Sequence, residues 1–300
     1  MLEIAILGGS GSGKTQISLE LAKQYNCVIL SLDSLSVYKE INIASAKPSV
    51  KERGKTLHFG MDILSPKEEH NVQIFIQEYK KAKDFCKENH KNLLIVGGTS
   101  FYLKSLLNGI SSLPKITKEQ EETIKKNYAH NSLEQNYTLL QNIDFSYANS
   151  LKSKDSYRIQ KALFIYFLTK LPPSVYFKEN PPIPILEHCE IFEILLEREE
   201  LLQNVTLRTK KMLENGIIQE AQNLVKNYGK NHAWAKSIGI KECLDFLENK
   251  INQTQLQELI ITHTMQLTKR QRTFNKTQFA EHFRGKKEEV FQKISKLLEA

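Results

Sequence analysis

The stretch Gly8-Gly9-Ser10-Gly11-Ser12-Gly13-Lys14-Thr15 decides the fold of this chain. It matches the pattern GxxxxGK[ST] at every fixed position, follows an apolar run at residues 2–7 and precedes residues 16–24, which have helical spacing. In such a loop the backbone N–H groups turn towards a phosphate, the lysine adds positive charge, and the Thr15 hydroxyl can ligate Mg²⁺. The stretch therefore predicts a phosphate-binding loop (P-loop) between a strand and a helix.

Further apolar runs predict a parallel sheet around this loop. Residues 27–32, 93–96 and 189–196 each have the length and pattern of a strand, and residues 73–88 have the spacing of a helix. Strands that helices cover on both faces are continuously apolar, as the first two of these runs are. The order of elements predicts an α/β fold, a P-loop NTPase-like parallel sheet flanked by helices.

The amino-acid composition and the spacing of apolar residues change in the middle of the chain. Residues 115–170 are rich in Lys, Glu, Gln and Asn with apolar residues at helical intervals, which predicts helices without strands. Residues 171–184 contain five prolines, so we expect an irregular junction there. The sequence thus predicts a core of residues 1–111 and 187–300, with basic helices near its C-terminus, and an all-helical insertion at residues 112–186.

The composition excludes several classes of protein. Of the 300 residues, 40% are hydrophobic, which is enough for a core and excludes general disorder. No apolar run is long enough to span a membrane, and the four cysteines are far apart without a zinc or disulfide spacing. We therefore expect a cytoplasmic protein with reduced thiols. A net charge of +8 permits a nucleic acid as partner but does not require one.

Two polar residues follow the predicted strands directly. Asp33 comes after residues 27–32, and Thr99 follows residues 93–96 behind two glycines. Because ligands of open parallel sheets bind at the carboxyl ends of the strands, we expect both side chains near the P-loop. Asp33 would act there as a metal partner or a general base, and Thr99 as a hydrogen-bond donor. The alternatives are a helix-capping or surface carboxylate and a turn-capping threonine.

The end of the third predicted strand argues against one class of P-loop protein. It reads Gly97-Gly98 instead of the Asp or Glu with which a P-loop hydrolase holds its magnesium ion. This counts against an NTP-hydrolysing motor and less strongly against a small-molecule kinase.

A basic segment lies near the C-terminus. Residues 266–276 contain Lys269, Arg270, Arg272 and Lys276 without an acidic residue, and Phe274 lies among them. Cations interleaved with an aromatic residue suit contacts with nucleic-acid phosphates and bases. The alternative is a solvated face of a helix.

Several short motifs, in order along the chain, resemble those of the bacterial tRNA dimethylallyltransferases. They are the P-loop, Asp33-Ser34-Leu35-Ser36-Val37-Tyr38, Ala44-Ser45-Ala46-Lys47-Pro48, Val96-Gly97-Gly98-Thr99-Ser100-Phe101-Tyr102-Leu103, Ile238-Gly239-Ile240-Lys241-Glu242 and Lys269-Arg270-Gln271. The P-loop alone is generic, whereas the second, third and fourth motifs in this order are specific. The resemblance covers essentially the whole chain.

The resemblance implies a reaction and its partners. A dimethylallyl group would pass from dimethylallyl diphosphate to N6 of adenosine 37 in a tRNA, with Mg²⁺ at Thr15, and the enzyme would act as a monomer. Asp33 matches the general base of that family, Thr99 a threonine that contacts diphosphate or tRNA, and Arg208 an arginine at the diphosphate; these three are the implied catalytic residues. The implied diphosphate site is Gly8, Gly9, Ser10, Gly11, Ser12, Gly13, Lys14 and Thr15. The implied tRNA contacts are Asp33, Ser34, Leu35, Ser36, Thr99, Arg158, Lys161, Lys269, Arg270 and Arg272.

The chain departs from the family pattern at several positions. Ser36 replaces the usual glutamine three residues after the aspartate, and Met265 and Asn204 stand where arginines are common. None of these changes affects Lys14, Thr15 or the three implied catalytic residues, so we expect activity to be retained with rearranged tRNA contacts.

Three other functions remain open from the sequence. They are phosphorylation of a nucleotide or small metabolite by a P-loop kinase, RNA binding without catalysis, and transfer of the same group to free AMP.

Overall fold

Six parallel strands form one sheet in the computed structural model, which describes residues 1–114, 116–279 and 281–300. The strands are β1 (Glu3–Gly8), β2 (Cys27–Leu32), β3 (His58–Phe59), β4 (Asn92–Gly97), β5 (Glu190–Ile194) and β6 (Phe283–Gly285). They lie in the order β3-β2-β4-β1-β5-β6, and each neighbouring pair is parallel. The predicted P-loop NTPase-like sheet is confirmed, and two short edge strands, β3 and β6, extend it.

Helices connect these strands and form most of the remaining structure. In chain order they are α1 (Lys14–Gln24), α2 (Val50–Arg53), α3 (Val72–Glu88), α4 (Ser100–Asn108), α5 (Lys118–Lys126), α6 (Leu133–Ile143), α7 (Phe145–Ser150), α8 (Ser156–Thr169), α9 (Pro173–Glu179), α10 (Arg198–Glu214), α11 (Ile217–Tyr228), α12 (Ile240–Leu247), α13 (Gln253–Gln278) and α14 (Lys287–Glu299). A 3-10 turn, Ala233–Lys236, precedes α12. Among the described residues, no helix combines the length and the apolar character that a membrane span requires.

The chain divides into two compact units, one formed by Met1–Ser105 with Leu186–Ala300 and the other by Leu106–Ile185. The sequence predicted the borders of the insertion at residues 112 and 186, and the first border lies earlier than that. The ends of the helical unit hold each other, since the Ile185 N–H donates to the Leu106 carbonyl oxygen at 2.8 Å. Ile110 and Ile183 also form an antiparallel bridge. These contacts place the residues that follow Leu106 in the helical unit.

One prediction about the helical unit is wrong. The proline-rich residues 171–184 were expected to be irregular, but they contain helix α9. Pro173 occupies the first turn of this helix, where a missing N–H costs no intrahelical hydrogen bond and the restricted φ angle suits the helix. The prolines therefore begin a helix at this point.

In the first unit, one face of the sheet packs against α1 and α14. Alternate residues of β1, Ile4 and Ile6, share a buried cluster with Leu21 of α1 and with Val290 and Ile294 of α14. Helix α3 packs against β2 and β4. The central strands are thus covered on both sides, which explains their continuous apolar sequence.

A buried carboxylate connects the sheet to α13. Glu193 of β5 is fully buried and accepts hydrogen bonds from Asn275 Nδ2 of α13 at 2.8 Å and from Arg284 Nε of β6 at 2.7 Å. His282 Nε2 lies 3.2 Å from the same carboxylate. Because a buried charge is tolerated only when it is paired, this network fixes the C-terminal part of α13 against the sheet.

We expect Glu193→Gln to lower the free energy of unfolding by about 2–4 kcal/mol, because it removes the fully buried counter-charge of the Arg284 guanidinium. Urea unfolding followed by the fluorescence of Trp234, the single tryptophan, reports on this unit. The control is Glu214→Gln, whose ion pair with Lys210 is exposed and should contribute no more than about 0.5 kcal/mol. Equal effects of the two substitutions would contradict a role for Glu193 in holding α13.

Candidate active site

The carboxyl ends of β1, β4 and β2 lie side by side at one edge of the sheet. Strand β4 lies between the other two, so the segment after it is flanked by the P-loop and by the segment that begins with Asp33. This topology is the physical reason why three motifs that are far apart in the sequence meet at one place.

The P-loop has the backbone conformation that its glycines predict. Gly11 and Gly13 have positive φ angles of 83° and 89°, which L-residues with side chains rarely adopt. The ammonium group of Lys14 folds back over the loop and donates to the carbonyl oxygens of Gly8 at 2.8 Å and Gly9 at 2.7 Å. The loop therefore holds its cation in place at the start of α1.

A cavity of about 690 Å³ opens beside the P-loop and brings most of the predicted residues together. Its lining includes Ser10, Lys14, Thr15, Asp33, Ser34, Leu35, Ser36, Thr99, Arg208 and Arg270. All of these residues belong to the first unit. Predicted site residues from five different segments of the sequence thus line one cavity.

Asp33 is held in a tight turn at the end of β2. Its Oδ1 accepts hydrogen bonds from the backbone N–H groups of Leu35 at 2.7 Å and Ser36 at 3.0 Å. The Ser36 hydroxyl is buried and lies 2.7 Å from the Ser31 hydroxyl, which anchors the turn to the strand. The second carboxylate oxygen, Oδ2, takes no part in these hydrogen bonds. The Asp33 carboxylate forms part of the cavity wall.

Thr99 is positioned by a close approach of two strands. A Cβ atom at Gly97 would lie 2.1 Å from the carbonyl oxygen of Leu32, so only glycine fits at the end of β4. The same carbonyl oxygen accepts a hydrogen bond from the Thr99 N–H at 3.1 Å. The Gly-Gly-Thr sequence is therefore needed to turn the chain against β2 and to bring Thr99 to the cavity.

The electrostatics of the cavity favour an anion. Burial and the positive charge of Arg208 lower the pKa of Lys14 to about 8, and the negative charge of Asp33 opposes this shift. Burial also lowers the pKa of Arg208, again opposed by Asp33. Two cations thus face one carboxylate inside a partly buried space, an arrangement in which a bound phosphate group would restore the charge balance.

Helices α10 and α13 pack against the P-loop and the loop that follows β4. Asn204 Nδ2 of α10 donates to the Gly11 carbonyl oxygen at 3.2 Å. A Cβ atom at Gly9 would lie 2.1 Å from Thr268 Cγ2 of α13, and Gln271 Nε2 donates to the Gly98 carbonyl oxygen at 2.9 Å. Helix α13 therefore contacts the backbone of the P-loop and of the loop that follows β4.

Several buried polar atoms near the P-loop have no hydrogen-bond partner among the described residues, including Ser12 Oγ of the P-loop, Ser100 Oγ at the start of α4, and Thr268 Oγ1 and Gln271 Oε1 of α13. An unpaired buried polar atom costs free energy, and in native proteins such atoms cluster where a ligand or water supplies the partner. The hydroxyl of Ser12 belongs to the loop that the sequence assigns to phosphate, so its position fits that assignment.

Four predicted tRNA-contact residues lie outside the cavity lining. Arg158 and Lys161 belong to α8 of the helical unit, and Lys269 and Arg272 are exposed residues of α13. The residues of α13 that line the cavity recur at helical spacing: Ile260, Thr264, Leu267, Arg270, Gln271 and Phe274.

Several cavity residues received no role from the sequence. Lys47 is almost completely buried, with Nζ 2.6 Å from Asp62 Oδ1, and burial lowers its pKa. It belongs to a quoted motif, which was the available signal. His58, Met61 and Met212 also line the cavity. Their types are unremarkable in sequence, because an apolar or single-histidine position is more often structural.

The comparisons with known proteins agree with one another. A sequence model of the family described as IPP transferase matches residues 36–278. A tRNA dimethylallyltransferase of Sulfurimonas denitrificans is 47% identical, over 93% of this chain and 93% of its own length. One of Helicobacter pylori is 44% identical, over 98% of this chain and 93% of its own length.

Solved structures are also similar to this chain. A eukaryotic dimethylallyltransferase, described crystallographically as acting on tRNA, has a TM-score of 0.78 and 29% identity over 91% of this chain and 69% of its own. A tRNA delta(2)-isopentenylpyrophosphate transferase from Staphylococcus epidermidis has a TM-score of 0.70 and 26% identity, over 99% and 98% of the two chains.

We expect the affinity for inorganic pyrophosphate with Mg²⁺ to fall above pH 8, because Lys14, with a pKa of about 8, loses its charge there. The Lys14→Arg variant keeps its positive charge at high pH. The ratio of the wild-type affinity to the affinity of this variant should therefore fall by about tenfold between pH 7 and pH 9. Titration calorimetry of both proteins at pH 7, 8 and 9 measures the ratio, in which the ionisation of pyrophosphate itself cancels. A ratio that is independent of pH would contradict the lowered pKa.

We expect Gly9→Ala to destabilise the protein by about 1–3 kcal/mol, because the added methyl group overlaps Thr268. Pyrophosphate binding should weaken as well, since the P-loop must move. Thr268→Ala removes the overlapping methyl group and should restore part of both losses in the double variant. Unfolding and binding measurements on the two single variants and the double variant check this, and strictly additive effects would show that the contact is not the cause.

Proposed function

This chain belongs to the IPP transferase family, and from that premise we infer that it is a tRNA dimethylallyltransferase. The reaction joins the dimethylallyl group of dimethylallyl diphosphate to N6 of adenosine 37 in a tRNA and releases diphosphate. The observation that supports this proposal best is the composition of one cavity. Lys14 and Arg208 supply positive charge, Asp33 supplies a carboxylate, and apolar side chains such as Ile238 and Ile260 supply a wall for an alkyl group.

Each part of the cavity suits one part of the reaction. The adenine amine attacks the first carbon of the dimethylallyl group, and the bond from that carbon to the diphosphate oxygen breaks. The P-loop N–H groups, Lys14 and Arg208 stabilise the negative charge that develops on the leaving diphosphate. Asp33 accepts the proton that the amine loses on forming its new bond. This balance requires no nucleotide as energy source.

Thr99 and the turn at Asp33 serve to position these groups. The hydrogen bond from the Thr99 N–H to the end of β2 holds this residue between the P-loop and Asp33, on the cavity wall. Its hydroxyl could there donate to an oxygen of the diphosphate or of a nucleotide. The Asx turn fixes the direction of the Asp33 carboxylate through two backbone N–H groups. We assign Thr99 to substrate contact and Asp33 to proton acceptance.

The residues of the cavity fit a magnesium ion that arrives with its substrate. Among the described residues no group of three or more acidic, histidine or cysteine side chains could hold a metal ion. The Thr15 hydroxyl lines the cavity at the start of α1 and is exposed, so it would be one ligand beside diphosphate oxygens and water. When bound, Mg²⁺ would neutralise charge on the diphosphate.

The tRNA contacts that we propose fall into two groups. Near the cavity they are Ser34, Leu35, Ser36 and Arg270, with Lys269 and Arg272 further along the exposed side of α13. In the helical unit they are Arg158 and Lys161 of α8. Lys161 lies above the ring of the exposed Tyr157, with Nζ 5.8 Å from its centroid, which forms a cationic and aromatic surface suited to RNA.

The decisive experiment supplies the protein with Mg²⁺, unmodified tRNA and either radiolabelled dimethylallyl diphosphate or labelled ATP. The proposal requires label from the first donor in the tRNA and release of one diphosphate per transfer. Label from the γ-phosphate of ATP in any product would favour a kinase, and transfer to free AMP without transfer to tRNA would identify a different acceptor. Binding of tRNA without turnover would contradict catalysis altogether.

We expect Asp33→Asn to lower the rate of transfer by about 10²–10⁴-fold, because the amide cannot accept the proton. Asparagine can still accept the hydrogen bonds of Leu35 and Ser36 through its Oδ1, so the turn and tRNA binding should persist. Single-turnover kinetics and a filter-binding assay with tRNA measure the two effects separately. Normal turnover in this variant would show that Asp33 is not the general base.

A further inference from the structure

The cavity has a cationic part and an apolar part, and this division indicates how the donor would lie in it. Its cations, Lys14 and Arg208, both line the wall, and the positive charge of Arg208 lowers the pKa of Lys14. In another part of the wall, Leu35, Ala44, Met212, Ile238 and Ile260 belong to or pack against one hydrophobic cluster that continues into the core of the first unit. A diphosphate with an alkyl chain would place its diphosphate at the two cations and its alkyl chain against the apolar part of the wall.

Helix α10 connects the cationic part of the cavity to the apolar part. Its cavity-lining residues, Val205, Arg208, Thr209 and Met212, recur at helical spacing and so form one face. Met212 follows Arg208 by four residues, or about one helical turn, so the two side chains are neighbours on this face. A short alkyl group on a diphosphate at Arg208 would therefore come next to Met212, and a geranyl group has about twice as many carbons as a dimethylallyl group.

Met212 belongs to the apolar part of the cavity wall and to the hydrophobic cluster behind it. It is 8% exposed, and its Cε lies 3.7 Å from the position that a Cβ atom at Gly239 would occupy. The backbone behind it is held firmly, because the Gly239 N–H donates to Glu242 Oε2 at 2.6 Å and Glu242 is itself buried and bonded to His263. A longer alkyl chain therefore meets Met212 first and a fixed backbone behind it.

We propose that Met212 limits the length of the alkyl chain in the diphosphate donor. The proposal rests on the proposed function, in which the diphosphate lies at Lys14 and Arg208. Met212 is a specificity residue, which contacts the far end of a five-carbon chain and excludes a ten-carbon chain. The thioether side chain contributes bulk, and shortening it opens space between the cavity and the cluster around Gly239.

The test compares dimethylallyl and geranyl diphosphates in the wild type, Met212→Ala and Met212→Val. We expect Met212→Ala to raise the ratio of kcat/KM for the geranyl to the dimethylallyl donor at least tenfold, with Met212→Val intermediate, since each methylene group in such a pocket changes discrimination by about 10-fold or more. The matched control is Leu213→Ala, a neighbour on α10 that packs against the same cluster but does not line the cavity. Its ratio should stay within about twofold of the wild type.

Equilibrium binding of both diphosphates without tRNA gives a second readout that does not depend on transfer. An unchanged binding ratio and an unchanged kcat/KM ratio in folded Met212→Ala would overturn the proposal, as would an equal change in Leu213→Ala. If circular dichroism shows that Met212→Ala does not fold, Met212→Val decides the question. Wild-type protein that binds both diphosphates but transfers no alkyl group would refute the proposed function, and the binding ratios would still decide the role of Met212.

Discussion

The site depends on the close packing of one long helix against the backbone of two loops. Helix α13 contacts Gly9 of the P-loop and Gly98 beyond β4 so closely that a Cβ atom at either glycine would lie within 2.5 Å of a side chain of the helix. A methyl group at Gly9 would overlap the Thr268 side chain, and one at Gly98 would displace the terminal amide of Gln271. The absence of side chains there lets Thr268 and Gln271 reach the loops, and it brings the next turns of the helix to the cavity.

The packing of α13 is in turn secured at a distance from the cavity. The fully buried Glu193 binds Asn275 near the end of the helix, while a capping box at Asn252 closes its start. Between these two points the helix presents one face to the cavity and leaves Lys269 and Arg272 exposed. The same element therefore forms part of the cavity wall and also presents exposed cationic side chains.

The cavity contains groups whose burial destabilises the folded protein. It keeps two cations partly buried, with the pKa of Lys14 lowered to about 8, and it contains buried polar atoms without partners among the described residues. Each of these features disfavours the folded state and would be relieved by a bound polyanion. The apolar wall around Met212, by contrast, is continuous with the core of the first unit.

The local sequence determined the elements whose physical cause is local. The glycines of the P-loop, the apolar strands and the polar residues directly after them predicted the sheet, its carboxyl edge and the positions of Lys14, Asp33 and Thr99. The sequence pattern did not predict β3 and β6, because strands of two and three residues are too short to show a periodicity. It also did not predict α9, because a proline favours a helix only when it lies in the first turn.

Only the tertiary structure decided which side chains share the cavity. Lys47 lies more than a hundred residues before Met212 and Gln271 in the sequence. Lys47 and Gln271 belong to quoted motifs, but nothing in the sequence indicates that the three side chains share one cavity. They meet because the parallel order β2-β4-β1 brings three loops to one edge and because α10 and α13 pack across that edge. A motif states what a residue is able to do next to a phosphate, whereas long-range packing determines which residues stand next to it.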